Sequence, residues 1–150
     1  VVGDVIAMVR HELHRSGVSL KTRLAEELSA VPGDRVQLQQ VVLNLILNAI
    51  EATREIEGRS RQMWVASRLE HGKAVHVEVR DSGVGLGPDL RARVFEAFYT
   101  TKPSGLGMGL SISRSIVEAH GGRISARPNS PHGAIFQFWL PLVSEDTGVA

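Results

Sequence analysis

Two asparagines, Asn44 and Asn48, are four residues apart in the longest predicted helix. Side chains at this spacing lie on the same side of a helix, so both amides face one place. Amide oxygens are hard, neutral ligands that suit a Mg²⁺ ion already carrying nucleotide phosphates. Two solvated asparagines on a helix surface would have the same spacing. The pair by itself is therefore consistent with a metal site and with a plain polar helix surface.

Two glycine-dense segments, residues 81–87 and 105–109, flank an irregular stretch that is predicted to be a mobile loop. The second segment leads into a predicted helix, where backbone amides and the positive end of the helix dipole favour phosphate. Neither segment has the G-x-x-x-x-G-K-[ST] or the G-x-G-x-x-G spacing, which excludes the P-loop and dinucleotide-binding patterns. A turn without a ligand would explain either segment alone. Two such segments on either side of one loop instead indicate a lid that covers a bound triphosphate.

Residues 38–49, which include both asparagines, resemble the N box of the superfamily that groups gyrase, heat-shock chaperone, mismatch-repair and histidine kinase ATPases. Residues 81–85, 95–98 and 105–110 are similar to its first glycine box, its F box and its second glycine box, in the same order and with agreeing spacing. Residues 133–141 are similar to the closing strand of the histidine kinase branch. By this resemblance the chain is identified as the ATP-binding catalytic domain of a sensor histidine kinase, closest to the nitrogen-regulator and oxygen-sensor type.

The resemblance implies roles for individual residues. Asn48 would be the metal ligand and a catalytic residue, and Asn44 would support the same Mg²⁺ ion or its waters. Asp81 would accept a hydrogen bond from the adenine amino group, although an Asp-Ser-Gly turn capped by this carboxylate also fits the sequence. Lys102 would offset phosphoryl charge as a catalytic lysine of the lid. The residues implied in nucleotide binding are Asn44, Asn48, Ala52, Asp81, Gly83, Gly85, Leu86, Thr100, Thr101, Lys102, Gly105, Leu106, Gly107, Met108, Gly109 and Leu110.

Position 44 separates branches of the superfamily, because the members that hydrolyse ATP place a glutamate there as general base. An amide cannot accept a proton from water in this way, so Asn44 indicates a site that holds ATP for another nucleophile. The resemblance implies transfer of the γ-phosphoryl group to a histidine on a separate dimerisation and phosphoacceptor domain, with a response regulator downstream. Two alternatives stay open: a related ATPase or serine-directed kinase, and a degenerate module that senses nucleotide or docks a partner.

Three histidines, His11, His14 and His120, do not indicate a competing site. His11 and Glu12 mimic the start of a phosphoacceptor box, but no proline follows and the N box comes too soon for the intervening helical hairpin of the family. His11 and His14 are three positions apart, not the four of a zinc-protease helix. We interpret this segment as a surface helix, and His120 as part of a helix end.

The composition is that of one folded domain spanning residues 1–150. Apolar residues make up 43% and charged residues 22%, and the net charge is +1 with basic and acidic residues interspersed. This distribution argues against nucleic acid or a membrane surface as a partner. Cysteine is absent, which excludes disulfides and thiolate chemistry. We expect a cytoplasmic domain, monomeric in isolation, excised from a longer protein that carries the phosphoacceptor and sensor domains.

Hydrophobic periodicity predicts the elements that position these residues. Helices are predicted at 2–13, 34–52, 88–95 and 110–120, and strands at 18–24, 63–69, 74–80, 123–126 and 134–140. Asp34, with Gln37 three positions on, forms a capping-box pattern at the longest helix, and the strands of 63–80 are predicted to form a half-buried hairpin. Interleaved helices and strands with one hairpin predict an α/β fold, a two-layer sandwich whose mixed sheet is covered on one face by helices. In the family that the chain resembles, this is the Bergerat fold.

Overall fold

The computed structural model describes residues 2–25, 33–54, 56–85, 94–96 and 109–142. The helices and strands within these ranges are α1 Val2–Arg15, β1 Val18–Leu24, α2 Arg35–Arg54, β2 Arg61–Glu70, β3 Ala74–Asp81, α3 Gly109–Ala119, β4 Arg123–Pro128 and β5 Ala134–Pro141. The short helix predicted at 88–95 falls largely outside them. None of the helices in the described part of the chain has the length and apolar character needed to cross a membrane.

The five strands form one mixed sheet in the order β1–β2–β3–β5–β4. β1 pairs with β2 in parallel, and the other three pairs are antiparallel. Parallel neighbours need a crossover connection, which contains α2. The helices pack with one face of the sheet into a single apolar core. The predicted two-layer α/β sandwich is therefore confirmed.

Helix α2 begins where the capping pattern predicts. The Gln37 N–H donates to Asp34 Oδ1 at 3.0 Å, and the Leu38 N–H donates to the Asp34 carbonyl at 3.0 Å. The first bond satisfies one of the amide groups that have no partner inside the helix, and the second is the first bond of the helix itself. Along its apolar side, α2 buries residues such as Val41 and Leu45 completely. A helix fixed at its start and buried along one side holds its polar stripe in one orientation.

The hairpin of β2 and β3 is confirmed, but its predicted half-burial is wrong for β3. In the turn, the Lys73 N–H donates to the Glu70 carbonyl at 3.0 Å, and the two residues between them, His71 and Gly72, have φ values of 53° and 66°. Positive φ at both central positions is typical of a type I′ turn. On the side of β3 predicted to be exposed, His76 and Glu78 are only 4% and 8% exposed. The reason is that β3 is the central strand, so side chains of its neighbours cover these residues; the Trp139 ring centre, for example, lies 5.1 Å from that of His76.

The glycines predicted to end the last helix do so. The Gly122 N–H donates to the Val117 carbonyl at 2.9 Å, and the Gly121 N–H donates to the Glu118 carbonyl at 3.0 Å. Gly121 has a φ of 79°. Together these features form a Schellman motif, which satisfies the last carbonyls of α3.

His120 connects the end of α3 to the start of α2. Its Nε2 accepts a hydrogen bond from the Asp34 N–H at 3.0 Å, and its Nδ1 lies 2.8 Å from the Ile116 carbonyl. Because a backbone N–H donates to Nε2, this pattern assigns the proton to Nδ1. His120 therefore joins two helices at their ends, in agreement with its interpretation as part of a helix terminus.

Candidate functional site

The polar stripe of α2 faces the first turn of α3. Asn44 Nδ2 donates to the Gly109 carbonyl at 3.2 Å and to Ser113 Oγ at 3.1 Å. Ser113 Oγ in turn donates to the Gly109 carbonyl at 2.9 Å. These three hydrogen bonds fasten the last glycine of the second glycine segment to α2, and they hold the N-terminus of α3 against the asparagine stripe.

The same hydrogen bonds orient the Asn44 amide. Since Nδ2 makes both contacts with α3, Oδ1 lies on the other side of the amide group and presents an acceptor. Asn48 lies one turn further along α2, and both asparagines are half-buried. The two side chains are therefore located at a boundary between core and solvent, where a ligand can reach them.

Sequence reasoning missed Ser113 as a site residue. Its side chain is completely buried, in the same stripe of α3 as Ile116 and Val117. A buried hydroxyl needs hydrogen-bond partners. A serine within an otherwise apolar helical stripe is the sequence signal that could have found it.

Replacing Ser113 with alanine is expected to lower the free energy of unfolding by about 1 to 2 kcal/mol, because both hydrogen bonds of a buried hydroxyl are lost. Urea denaturation measures this loss. Ser115→Ala is the matched control, because Ser115 is exposed on the same helix, and it should stay within about 0.5 kcal/mol of the native chain. In a chain that already carries Asn44→Ala, Ser113→Ala should lower the free energy of unfolding by less than it does in the native chain. If the losses of the two single variants simply add in the double variant, the contact between Asn44 and Ser113 is contradicted.

Asp81 ends β3 and is completely buried. Its Oδ1 accepts hydrogen bonds from the Gly83 N–H at 2.8 Å and from the Ala134 N–H at 3.3 Å. The first bond forms the Asp-Ser-Gly turn that the sequence left open as an alternative. The turn is compatible with a role in ligand binding, because a carboxylate has two oxygens and about four acceptor positions.

Two residues of the turn between β4 and β5 support Asp81, and sequence reasoning did not place either in the site. Asn129 Nδ2 donates to the Asp81 carbonyl at 3.0 Å, and the Asn129 N–H donates to the Gly133 carbonyl at 3.0 Å. Gly133 has a φ of 99°, and a Cβ there would come within 1.8 Å of the Asp81 carbonyl oxygen. Only glycine permits this approach. In the sequence, Gly133 is only a glycine before a strand, which many turns have, so this pattern does not identify it as a site residue.

The first glycine segment is fixed to the C-terminal half of α2. The Val84 N–H donates to the Ala52 carbonyl at 3.2 Å, and a Cβ on Gly83 would lie 2.5 Å from the same oxygen. Gly85 has a φ of 83° and approaches Gly133, whose carbonyl oxygen would be 3.2 Å from an added Cβ. Gly83 and Ala52, both predicted to bind nucleotide, are therefore in direct contact.

Half of the predicted nucleotide-binding set lies outside the described residues. This half consists of Leu86, Thr100, Thr101, Lys102, Gly105, Leu106, Gly107 and Met108. Of the rest, Leu110 is half-buried in the first turn of α3. Phe95, in the segment similar to the F box, packs edge-on against Phe136 with ring centres 6.1 Å apart. This contact attaches the segment to the core.

Among the described residues, no three His, Cys, Asp or Glu side chains converge as a metal cluster. His11 is exposed on α1, and its neighbour Glu12 pairs with Arg54 at 2.7 Å. The interpretation of this segment as a surface helix is confirmed.

Residues 33–144 match the model of the histidine kinase-, DNA gyrase B- and HSP90-like ATPases. The chain belongs to this family, and within it to the catalytic domains of sensor histidine kinases. Sensor protein FixL of Bradyrhizobium diazoefficiens is 43% identical over 129 residues, which are 86% of this chain and 25% of FixL. Sensor protein TdiS of Thauera aromatica is 38% identical over 143 residues, which are 95% of this chain and 26% of TdiS. The chain thus spans about a quarter of the length of these curated relatives.

Solved structures of the histidine kinase ThkA share the fold. Its nucleotide-free catalytic domain matches with a TM-score of 0.82 at 30% identity, over 95% of this chain and 92% of that one. ThkA in complex with the response regulator protein TrrA matches with a TM-score of 0.79 at 30% identity, over 95% of this chain and 39% of that one. The first match covers nearly all of both chains.

Proposed function

We propose that this chain binds Mg·ATP beneath a lid and presents the γ-phosphate to a histidine on a separate dimerisation and phosphoacceptor domain of its parent protein. The transfer would break the bond between the β- and γ-phosphates and yield phosphohistidine and ADP. A response regulator would be the downstream partner, in line with the complex of ThkA and TrrA. The parent protein would hold this domain in the cytoplasm, and the isolated domain would be a monomer.

The observation that carries this proposal is that α2 touches both glycine segments. Asn44 is hydrogen-bonded to Gly109 near the middle of the helix. Ala52, two turns further on, contacts Gly83. Eight residues of helix span about 12 Å, which suits an extended nucleoside triphosphate with its adenine near Asp81. Its phosphates would then lie at the N-terminus of α3, where backbone amides and the helix dipole favour them.

The amide oxygens of Asn44 and Asn48 fit a magnesium ion. Mg²⁺ prefers oxygen ligands and is usually held by few protein side chains, beside substrate phosphates and waters. The hydrogen bonds of Asn44 Nδ2 with α3 turn its oxygen away from that helix. By resemblance, Asn48 is the ligand and Asn44 supports it. The bound ion would neutralise phosphate charge, and Lys102, with Thr100 and Thr101, would add positive charge and hydrogen bonds from the lid.

The amide at position 44 also supports transfer over hydrolysis. An asparagine side chain cannot act as general base for an attacking water. Catalysis would then rest on positioning and on stabilisation of charge, with the nucleophile supplied by the phosphoacceptor domain. The chain alone should therefore bind ATP with little turnover.

Mixing the chain with the dimeric phosphoacceptor fragment of its parent protein and γ-labelled ATP tests this proposal. We expect Mg²⁺-dependent, acid-labile label on a histidine of the fragment, and little free phosphate from the chain alone. Rapid hydrolysis by the isolated chain would instead indicate an ATPase. Failure to bind ATP in calorimetry would indicate a degenerate docking module.

Replacing Asn48 with alanine is expected to slow the transfer by at least about 10- to 100-fold, because losing a group that only supports a metal ligand already costs that much. Raising the Mg²⁺ concentration should restore part of the rate, because the remaining ligands bind the ion more weakly. Gln40→Ala is the matched control, since Gln40 is an exposed amide on the same helix. A native rate for Asn48→Ala would rule out the ligand role.

A further inference from the structure

The helices cover one face of the sheet, and the strand side chains of the opposite face form a surface that we call the open face. Its basic residues are Lys21, Arg23, Arg68, Arg80, Arg123 and Arg127. Its acidic residues are Glu70 and Glu78. Six basic and two acidic side chains give the open face a net charge of +4, whereas the whole chain has +1. Positive charge is therefore concentrated on this surface.

The two acids of the open face are paired within it. Glu78 Oε2 accepts a hydrogen bond from Arg80 Nε at 2.7 Å, and Glu78 Oε1 lies 3.7 Å from Arg127. Glu70 Oε2 accepts a hydrogen bond from the indole N–H of Trp139 at 2.6 Å. Each carboxylate is thus engaged by a donor of the same surface, which leaves the outer charge positive.

Beside β1 the open face contains a cavity of about 560 Å³. Its walls include Lys21, Arg23, Trp64, Arg80 and Asn129. Lys21 and Arg23 are exposed and form no ion pair in the described part of the chain. A half-buried tryptophan flanked by cations is typical of interface hot spots, where Trp and Arg are enriched.

We propose that the open face is a docking surface for an acidic segment of a partner protein. Carboxylates of that segment would meet Lys21 and Arg23, and an apolar side chain would pack against Trp64. The negative charge of such a segment complements the positive charge of the open face. A second copy of the chain would bring two faces of the same net charge together.

The open face is on the opposite side of the sheet from α2, so docking there does not require the ATP site. Binding to the open face can be observed separately, because Trp64 and Trp139 are the only tryptophans of the chain and both lie on this face. Indole N–H resonances therefore detect an occupant of the open face directly.

The test uses a synthetic peptide in which Glu and Asp residues flank single Leu residues, titrated into the isotope-labelled chain. We expect the indole resonance of Trp64 to shift, with an affinity that falls as salt is added, because the attraction is between exposed charges. The same peptide with Gln and Asn in place of the acids should leave the resonance unchanged. No shift with the acidic peptide at low salt would overturn the proposal.

Charge reversal locates the binding. Lys21→Glu combined with Arg23→Glu is expected to weaken peptide binding by about tenfold, because two attractive contacts become repulsive. Arg10→Glu combined with Arg15→Glu makes the same change in net charge at exposed positions of α1 and should leave peptide binding unchanged. Both variants should bind ATP like the native chain, so this result is independent of the proposed transfer reaction.

Three outcomes would overturn the docking surface. Equal weakening by the two double variants would mean that only net charge matters. Tighter binding of oligo(dT) than of the acidic peptide at the same tryptophan would indicate a nucleic acid surface. Self-association in sedimentation that is abolished by Lys21→Glu and Arg23→Glu would assign the surface to a second copy.

Discussion

Replacing Asp81 with asparagine is expected to weaken ATP binding by about 10- to 150-fold, which is about 1.5 to 3 kcal/mol for a hydrogen bond to a charged group. Asparagine keeps an oxygen for the N–H groups of Gly83 and Ala134, both of which bond to Oδ1. It replaces the other carboxylate oxygen with an NH₂ group. That donor would face the amino group of adenine, which is also a donor. The variant should therefore lose affinity while it keeps the turn.

Calorimetric titration with ATP and Mg²⁺ measures the affinity, and thermal unfolding without nucleotide measures the stability. Glu78→Gln is the matched control, because Glu78 is a buried carboxylate of the same strand on the opposite face. It should leave ATP affinity unchanged, whatever it does to stability. A native affinity for Asp81→Asn would contradict the adenine role and leave this carboxylate with its turn alone.

The features that could be predicted from the sequence are those set by neighbours along the chain. The cap at Asp34 joins residues three positions apart, and the tight turn at Gly72 connects adjacent strands. The periodicity of α2 likewise places Asn44 and Asn48 on one side of the helix. Motif order then led to the family, whose model matches residues 33–144. Local patterns were therefore sufficient for the fold class and the family.

The contacts that build the candidate site could not be predicted in the same way, because they join distant residues. Asn44 meets Ser113 across 69 positions, and Asp81 meets Ala134 across 53. The first pair depends on the packing of α2 against α3. The second depends on strand order, in which β5 lies beside β3 although it is the last strand that the structure describes. The wrong prediction of half-burial for β3 has the same origin. Alternating polar residues are typical of a solvated face, but here neighbouring side chains cover that face.

Replacing Gly133 with alanine is expected to lower the free energy of unfolding by about 3 to 5 kcal/mol, from a strained backbone and an overpacked contact together. The φ of Gly133 is 99°, which strains an alanine. An added Cβ would lie 1.8 Å from the Asp81 carbonyl oxygen, and backbone cannot move aside as a flexible side chain does. Relief of this clash would displace the end of β3 and, with it, the carboxylate. We therefore expect ATP affinity to fall in the folded variant as well.

Gly58→Ala separates the two causes, because Gly58 has a similar φ of 82° but no atom within 4 Å of an added Cβ. It should lose only about 1 to 2 kcal/mol, the cost of a left-handed backbone for an L-residue. Urea denaturation compares the two variants, and equal losses would contradict the contact between the β4–β5 turn and Asp81. Calorimetry at a temperature where both are folded completes the test. If Gly133→Ala lost stability but kept native ATP affinity, β3 alone would position the carboxylate, and the turn would only stabilise the fold.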